Sequence, residues 1–199
     1  GEPVGERGEQ VVVLGWVGFL TAASGRGSRV TAPTGRHEPI GHHGEMTDAL
    51  DRVAWPVRTD RLWIRRATSD DLDATWELRR LPEVGEWISR APTTEDAYAE
   101  QFLHAGRLAG TLVFGLHEGP VIGDLMLRVE DAWAQAEVAD RAAGTQAELG
   151  WVLHPAYAGR GLATEPVSEL IRVCAEELGI RRVVAQCFAD NEASWRLME

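Results

Sequence analysis

The stretch that most restricts the fold is an apolar strand pattern at Ala147–His154 that runs, through Pro155, into a glycine turn and then a helix. The turn reads Tyr157-Ala158-Gly159-Arg160-Gly161-Leu162-Ala163-Thr164-Glu165. Beyond it, apolar residues recur at 167, 170, 171, 174 and 178, with Gly179 as the stop. A strand needs paired neighbours and an amphipathic helix needs a face to cover, so this unit demands a sheet with a helix packed on it. The glycines permit positive φ and close approach of a ligand to the backbone. The first N–H groups of the helix have no internal partners and carry the positive end of its dipole. Together they form a seat for a phosphate or pyrophosphate, although a bare strand–helix turn needs the same glycines. Pro166 is tolerated because it falls in the first helical turn. The spacing is not a Rossmann fingerprint, since the third glycine is missing and the unit comes late in the chain. Nor is it a Walker A loop: the chain contains no lysine.

Upstream, Leu62–Ile64 reads as a strand and Thr68 with Asp71 as a capping box opening a helix to about Leu81, which Pro82 stops. Thr93 or Thr94 caps a second helix through Ala99, Phe102 and Leu103, with Gly106 near its end. Thr111–Leu116 and Val121–Val129 are apolar strands joined by a hairpin turn at His117-Glu118-Gly119-Pro120. A polar stretch, Glu130–Gln146, is long enough for a functional loop or a short helix. Arg182–Phe188 is a further strand and Asn191–Glu199 a helix. The order β-α-α-β-β-β-α-β-α indicates an α+β fold (α/β with a mixed sheet) built on one central sheet flanked by helices.

The first 45 residues differ from the rest. They hold 10 of the 21 glycines and only −1 of the −11 net charge, leaving −10 on residues 46–199. Their apolar run, Val11–Leu20, is preceded by Glu2, Glu6 and Glu9 against Arg7, whereas a secretion signal needs a basic start. It is also shorter than the roughly 20 residues that span a bilayer. The expectation is a disordered or mis-started extension over residues 1–45 and a domain over 46–199. His37, His42 and His43 lack the partner pattern of a metal site, so no metal ligand is assigned. An acidic chain lacks the footprint of a nucleic-acid binder and would attract a cationic partner such as an amine. Cys174 and Cys187 are too few for a disulfide framework and read as core thiols in a reducing cytoplasm. Trp63, Trp76, Trp87 and Trp133 read as packing or pocket-wall residues.

Three segments carry a resemblance over residues 59–199. They are Thr59-Asp60-Arg61-Leu62 with Arg65; Glu148-Leu149-Gly150-Trp151 with His154-Pro155 and Gly159–Glu165; and Asp190-Asn191-Glu192-Ala193-Ser194-Trp195-Arg196-Leu197-Met198-Glu199. Their order and spacing resemble the GNAT superfamily of N-acetyltransferases, most closely the branch that acetylates ribosomal-protein N-termini and related amines. The resemblance implies a mixed sheet, acetyl-CoA as co-substrate, direct transfer to a primary amine, and no metal. It implies that the backbone of Gly159, Arg160, Gly161, Leu162, Ala163 and Thr164 holds the pyrophosphate. Leu149–Leu153, with Trp151, Val152 and Leu153 foremost, would pair with the pantetheine arm where this strand splays from Arg182–Phe188. Asn191 would hydrogen-bond that arm. Glu148 would act as base, through water, and Ser194 as the acid near the sulfur.

Two departures accompany it. Ala158 stands where the family usually has Gln or Arg. The family also continues beyond a segment like Asn191–Glu199 with two more antiparallel strands, so Arg182–Phe188 is expected to present an open apolar edge. A homodimer is one way to cover such an edge. The alternative function is a non-catalytic acyl-CoA-binding or regulatory module, or an inactive fragment. Glu83, Glu86, Glu95, Asp96 and Glu100 either favour a cationic acceptor or form a solvated face.

Overall fold

In a computed structural model, which describes residues 49–199 and the backbone of residues 10–16, seven stretches pair into one sheet. They are β1 (Gln10–Trp16), β2 (Val57–Arg58), β3 (Leu62–Arg66), β4 (Thr111–Leu116), β5 (Val121–Glu130), β6 (Gln146–Leu153) and β7 (Arg182–Phe188). Their spatial order is β1-β7-β6-β5-β4-β3-β2. All neighbours are antiparallel except β6 and β7. Parallel pairing needs a crossover, and the segment between those two strands supplies it as helix.

Among the described residues four helices run seven residues or more: α1 (Leu72–Arg79), α2 (Glu95–Leu103), α3 (Thr164–Glu176) and α4 (Glu192–Met198). The Thr68–Asp71 capping box forms as the sequence predicts, but it opens a single 3₁₀ turn, Ser69–Asp71, before α1. Thr94, not Thr93, caps α2, its hydroxyl accepting from the Ala97 amide at 3.3 Å. Gly106 does not end that helix; α2 stops at Leu103 and Gly106 lies in a further turn, Ala105–Ala109. The polar stretch after β5 folds into short turns at Ala136–Val138 and Ala139–Ala142.

Strand alternation sorts the apolar side chains onto two faces. Leu62 and Ile64 of β3, Leu112 and Phe114 of β4, and Ala147 and Leu149 of β6 join Val167, Leu170, Val173 and Cys174 of α3 in the main core. On the other face Val113, Ala67, Tyr98 and Phe102 form a second core, with Trp63 and Trp76 packed against it. Trp133 departs from the expected packing role, at 79% exposed.

That second face also encloses a charged pair. Arg79 at the end of α1 donates to Asp124 Oδ1 of β5 at 2.8 Å, with both side chains buried. Burial opposes the Arg79 charge, and the Asp124 carboxylate, with a contribution from the Tyr98 phenol group, restores it, so its pKa stays above the ordinary value. Breaking such a pair leaves a buried charge uncompensated, at a cost of about 3–5 kcal/mol.

The structure departs from the expected extension at Gln10–Trp16. These residues lie antiparallel along the outer side of β7, in register from Gln10–Phe188 to Trp16–Arg182. The physical reason is the one that made the edge a liability: β7 offers a row of unpaired backbone groups, and a β-branched apolar run satisfies them. The expected open edge on β7 is therefore covered within the chain. The rest of residues 1–45, with His37, His42 and His43, lies outside the described residues.

Three outcomes follow from this packing. Asp124→Leu lowers unfolding free energy in urea by about 3–5 kcal/mol, and Arg79→Leu added to it recovers most of the loss. Removal of residues 1–16 lowers Tm and produces concentration-dependent association in light scattering, because β7 is then an edge. Asp71 tests the acid limb. Burial pushes its carboxyl up, but the bidentate Arg65 pair at 2.7 Å and bonds from Thr68 outweigh this and hold it below the usual range. Its stabilisation is therefore present above about pH 4 and disappears as pH falls through the lowered value. Asp71→Asn is less stable than wild type at pH 7 and shows a flatter loss of Tm under acid.

Candidate active site

Parallel pairing between β6 and β7 runs from Gln146–Arg182 to Leu149–Ala185 and stops there. Both strands continue: β6 to Leu153, still paired with β5, and β7 to Phe188, still paired with β1. Gly150–Leu153 thus presents one edge to β5 and leaves the other facing a wedge-shaped opening. A groove of about 580 Å³ occupies it. Its walls include Gly150, Trp151, Val152 and Leu153 on one side and Gln186 and Cys187 on the other. Gly159, Gly161, Leu162, Ala163 and Thr164 form one end, and Asn191 and Ser194 another part of the rim.

The glycine turn has the backbone its composition predicts. Gly159 and Gly161 hold φ of +71° and +70°, a region that side-chain-bearing residues rarely adopt. A Cβ built on Gly159 meets nothing within 4 Å, so its requirement is conformational. The turn is buttressed from behind. Arg61, immediately before β3, donates to the carbonyls of Arg160 at 2.9 Å and Gly161 at 3.2 Å. Its Nε and backbone amide donate to the two carboxylate oxygens of Glu165, and the Thr59 hydroxyl donates to Oε1. Burial would push the Glu165 carboxyl up, but these bonds and the Arg61 charge hold it below its usual range. Arg160 is not on the groove wall; its guanidinium lies 5.9 Å from the centre of the Tyr157 ring.

Asn191 caps α4, its Oδ1 accepting from the Ser194 amide at 3.0 Å, and both residues line the groove. Glu148 stands apart. It lies on β6 before the splay, is not on the groove wall, and its Oε2 accepts from Arg128 of β5, directly across the strand pair. Arg128 also donates to Glu130 at 2.8 Å. Of the predicted site residues, the structure brings together Trp151, Val152, Leu153, Gly159, Gly161, Leu162, Ala163, Thr164, Asn191 and Ser194, and leaves Glu148 and Arg160 outside.

Several residues escape a sequence reading. Arg128 meets Glu148 only through strand register. Val84 and Ile88 line the groove beside Glu83, Glu86 and Trp87, which the sequence did single out as acceptor-facing acids and a pocket-wall residue. Cys187 is half-buried and faces the groove, contrary to its expected core position, because β7 has left β6 by that point. Burial raises its pKa, and Cys174, fully enclosed by the main core, is pushed up to about 12. Tyr98 is held in the second core, where burial raises its pKa. Among the described residues no group of three or more His, Cys, Asp or Glu could hold a metal ion.

A groove with backbone donors at one end and an unpaired strand edge along its side suits a ligand with an anionic head and an amide-bearing arm. The family model for "Acetyltransferase (GNAT) domain" matches residues 61–199. An N-acetyltransferase of Bacillus subtilis (strain 168), YnaD, described as uncharacterized, is 28% identical over 144 residues, covering 72% of this chain and 79% of that one. A GNAT-family acetyltransferase of Bacillus anthracis superposes with a TM-score of 0.59 at 24% identity, over 72% of this chain and 80% of the other. The structure of AAC(6')-Ib in complex with ribostamycin and coenzyme A gives 0.57 at 18% identity, over 69% and 80%. Glycine turn, splayed strands and family match coincide on the same residues, and the chain belongs to the GNAT family of N-acetyltransferases.

Proposed function

We propose that this protein moves an acetyl group from acetyl-CoA directly to a primary amine, either a protein N-terminus or a small-molecule amine. The observation that carries this reading is the groove itself. Its glycine backbone donors and the unpaired edge of Gly150–Leu153 match a pyrophosphate and a pantetheine arm in sequence along one opening. The amides of Gly159–Thr164 would hold the pyrophosphate at the positive end of α3. Val152 and its neighbours would pair with the arm, and Asn191 would bond it at the rim. A structure of AAC(6')-Ib with coenzyme A supports the fit by analogy of fold.

Acetyl-CoA supplies an acyl group activated as a thioester. The chain's task is to place an amine beside it and manage two protons. An amine of pKa near 10 is mostly protonated at pH 7, so it must first lose a proton. Glu148 is the base in this reading. Because it lies behind the groove wall, with Oε2 engaged by Arg128, it would receive the proton on Oε1 through water. A backbone N–H on the splayed part of β6 would meet the oxyanion. Ser194, on the groove wall, would protonate the departing sulfur. Holding both substrates in one groove contributes the remainder by removing the cost of encounter.

Glu83 and Glu86 on the opposite wall, beside Trp87, favour a cationic acceptor. The match of the Thr59–Arg65 and Asn191–Glu199 segments supports the branch acting on ribosomal-protein N-termini. The two unpaired thiols fit a reducing cytoplasm; among the described residues no helix is long and apolar enough to cross a membrane. A second reading, a non-catalytic acyl-CoA-binding module, is favoured by one observation: Arg128 holds the proposed base away from the groove.

Free-thiol release from acetyl-CoA against a panel of peptides and small amines decides between them. Transfer predicts turnover with at least one amine, with Glu148→Gln and Ser194→Ala each lowering kcat by about a hundredfold at unchanged acetyl-CoA affinity. Tight acetyl-CoA binding without turnover on any amine selects the second reading. Unchanged kcat in both variants removes the proposed roles.

A further inference from the structure

Arg61 lies outside the groove, yet it makes more bonds to the glycine turn than any groove residue described above. Its guanidinium takes the carbonyls of two successive residues, Arg160 and Gly161, from a position 100 residues away in sequence. In a planar trans peptide the C=O and the following N–H point in opposite directions. Fixing the Arg160 carbonyl toward Arg61 therefore aims the Gly161 N–H away from it. Fixing the Gly161 carbonyl does the same for the Leu162 N–H. Gly161 and Leu162 both line the groove, so the side turned away from Arg61 is the ligand side.

A second constraint concerns charge. Glu165 stands in the first turn of α3, where a carboxylate is attracted by the same helix end that would attract a pyrophosphate. Left uncompensated, it would repel that ligand. Arg61 neutralises it through Nε at 2.5 Å and through its backbone amide at 2.9 Å, and the Thr59 hydroxyl adds a third bond to the same carboxylate. Thr59 is itself anchored: it accepts from the Leu62 amide at 3.1 Å, and its carbonyl is 3.1 Å from Nε2 of His117.

We infer that Thr59, Arg61 and Glu165 form a positioning clamp that pre-orients the glycine turn and sets its affinity for the pyrophosphate of the acyl donor. The clamp rests on the reading of the groove as an acetyl-CoA site, and it adds residues that touch neither substrate. Its signature is selectivity by ligand fragment. Coenzyme A and dephospho-coenzyme A both contain the pyrophosphate; pantetheine has the same arm without it.

The test is calorimetric titration of the full chain with those three compounds, alongside a Tm for each variant. Arg61→Ala is expected to weaken coenzyme A and dephospho-coenzyme A by about tenfold or more, which corresponds to about 1.4 kcal/mol, while pantetheine changes by less than about twofold. Arg61→Lys keeps the charge but not the planar fork, and is expected to stay close to the alanine variant. Thr59→Val, which removes one hydroxyl, is expected to shift the same two ligands in the same direction and keeps the test open if Arg61→Ala does not fold. In steady state the loss falls on the KM for acetyl-CoA, with kcat kept within about threefold. Equal loss for pantetheine, full rescue by lysine, or unchanged affinity in both Arg61→Ala and Thr59→Val overturns the clamp. If the wild-type chain binds coenzyme A and the variants match it, the clamp alone falls. If the wild type binds none of the three, the acetyl-CoA reading falls and takes the clamp with it.

Discussion

The site depends on where one pair of parallel strands stops pairing. β6 and β7 are hydrogen-bonded only as far as Leu149 and Ala185, and beyond that point each is held by its antiparallel neighbour on the other side. Backbone groups that a sheet would normally consume internally are thereby left facing an opening. The crossover helix α3 must begin at the end of β6, so the same geometry delivers a helix N-terminus to the mouth of the opening. Groove, backbone edge and the placing of a helix N-terminus beside them follow from a single break in pairing.

A break of this kind needs support on both flanks, and the flanks come from distant parts of the chain. β5 holds β6 through eight registered pairs, and Asp124 on β5 is fixed in turn by buried Arg79. On the other flank Gln10–Trp16 holds β7 over its full length. Glu83 and Glu86, in and just after the short helix Pro82–Gly85, line the same groove. The negative charge concentrated after residue 46 is therefore represented at the groove, where two of its acidic residues lie on the wall.

Much of this was legible from residues close together in sequence. Gly159 and Gly161 announced their own positive φ, the Thr68–Asp71 spacing announced a cap, and the period of α3 announced which side faces the core. What stayed hidden depends on register. Glu148 is a strand residue of the expected kind, but only the pairing of Arg128 with it shows that its carboxylate is held off the groove. Cys187 follows an alternation that reads as core, and only the divergence of β7 turns it to the opening. Gln10–Trp16 carried a clear strand composition within a glycine-rich surrounding, and composition averaged over 45 residues concealed these seven that pair. Arg61 gave no local signal of its link to the glycine turn, because that contact spans 100 residues.

If the glycine turn and the unpaired edge of β6 together receive the acyl donor, their backbone groups gain partners when it binds. Amide hydrogen exchange, followed with and without saturating acetyl-CoA, reads those backbone groups directly. Slowed exchange is expected in peptides covering Gly150–Leu153 and Gly159–Thr164, with the Asn191–Ser194 cap following. Binding that leaves those segments unprotected, or that protects the opposite edge at β2 and β3 instead, would contradict that placement.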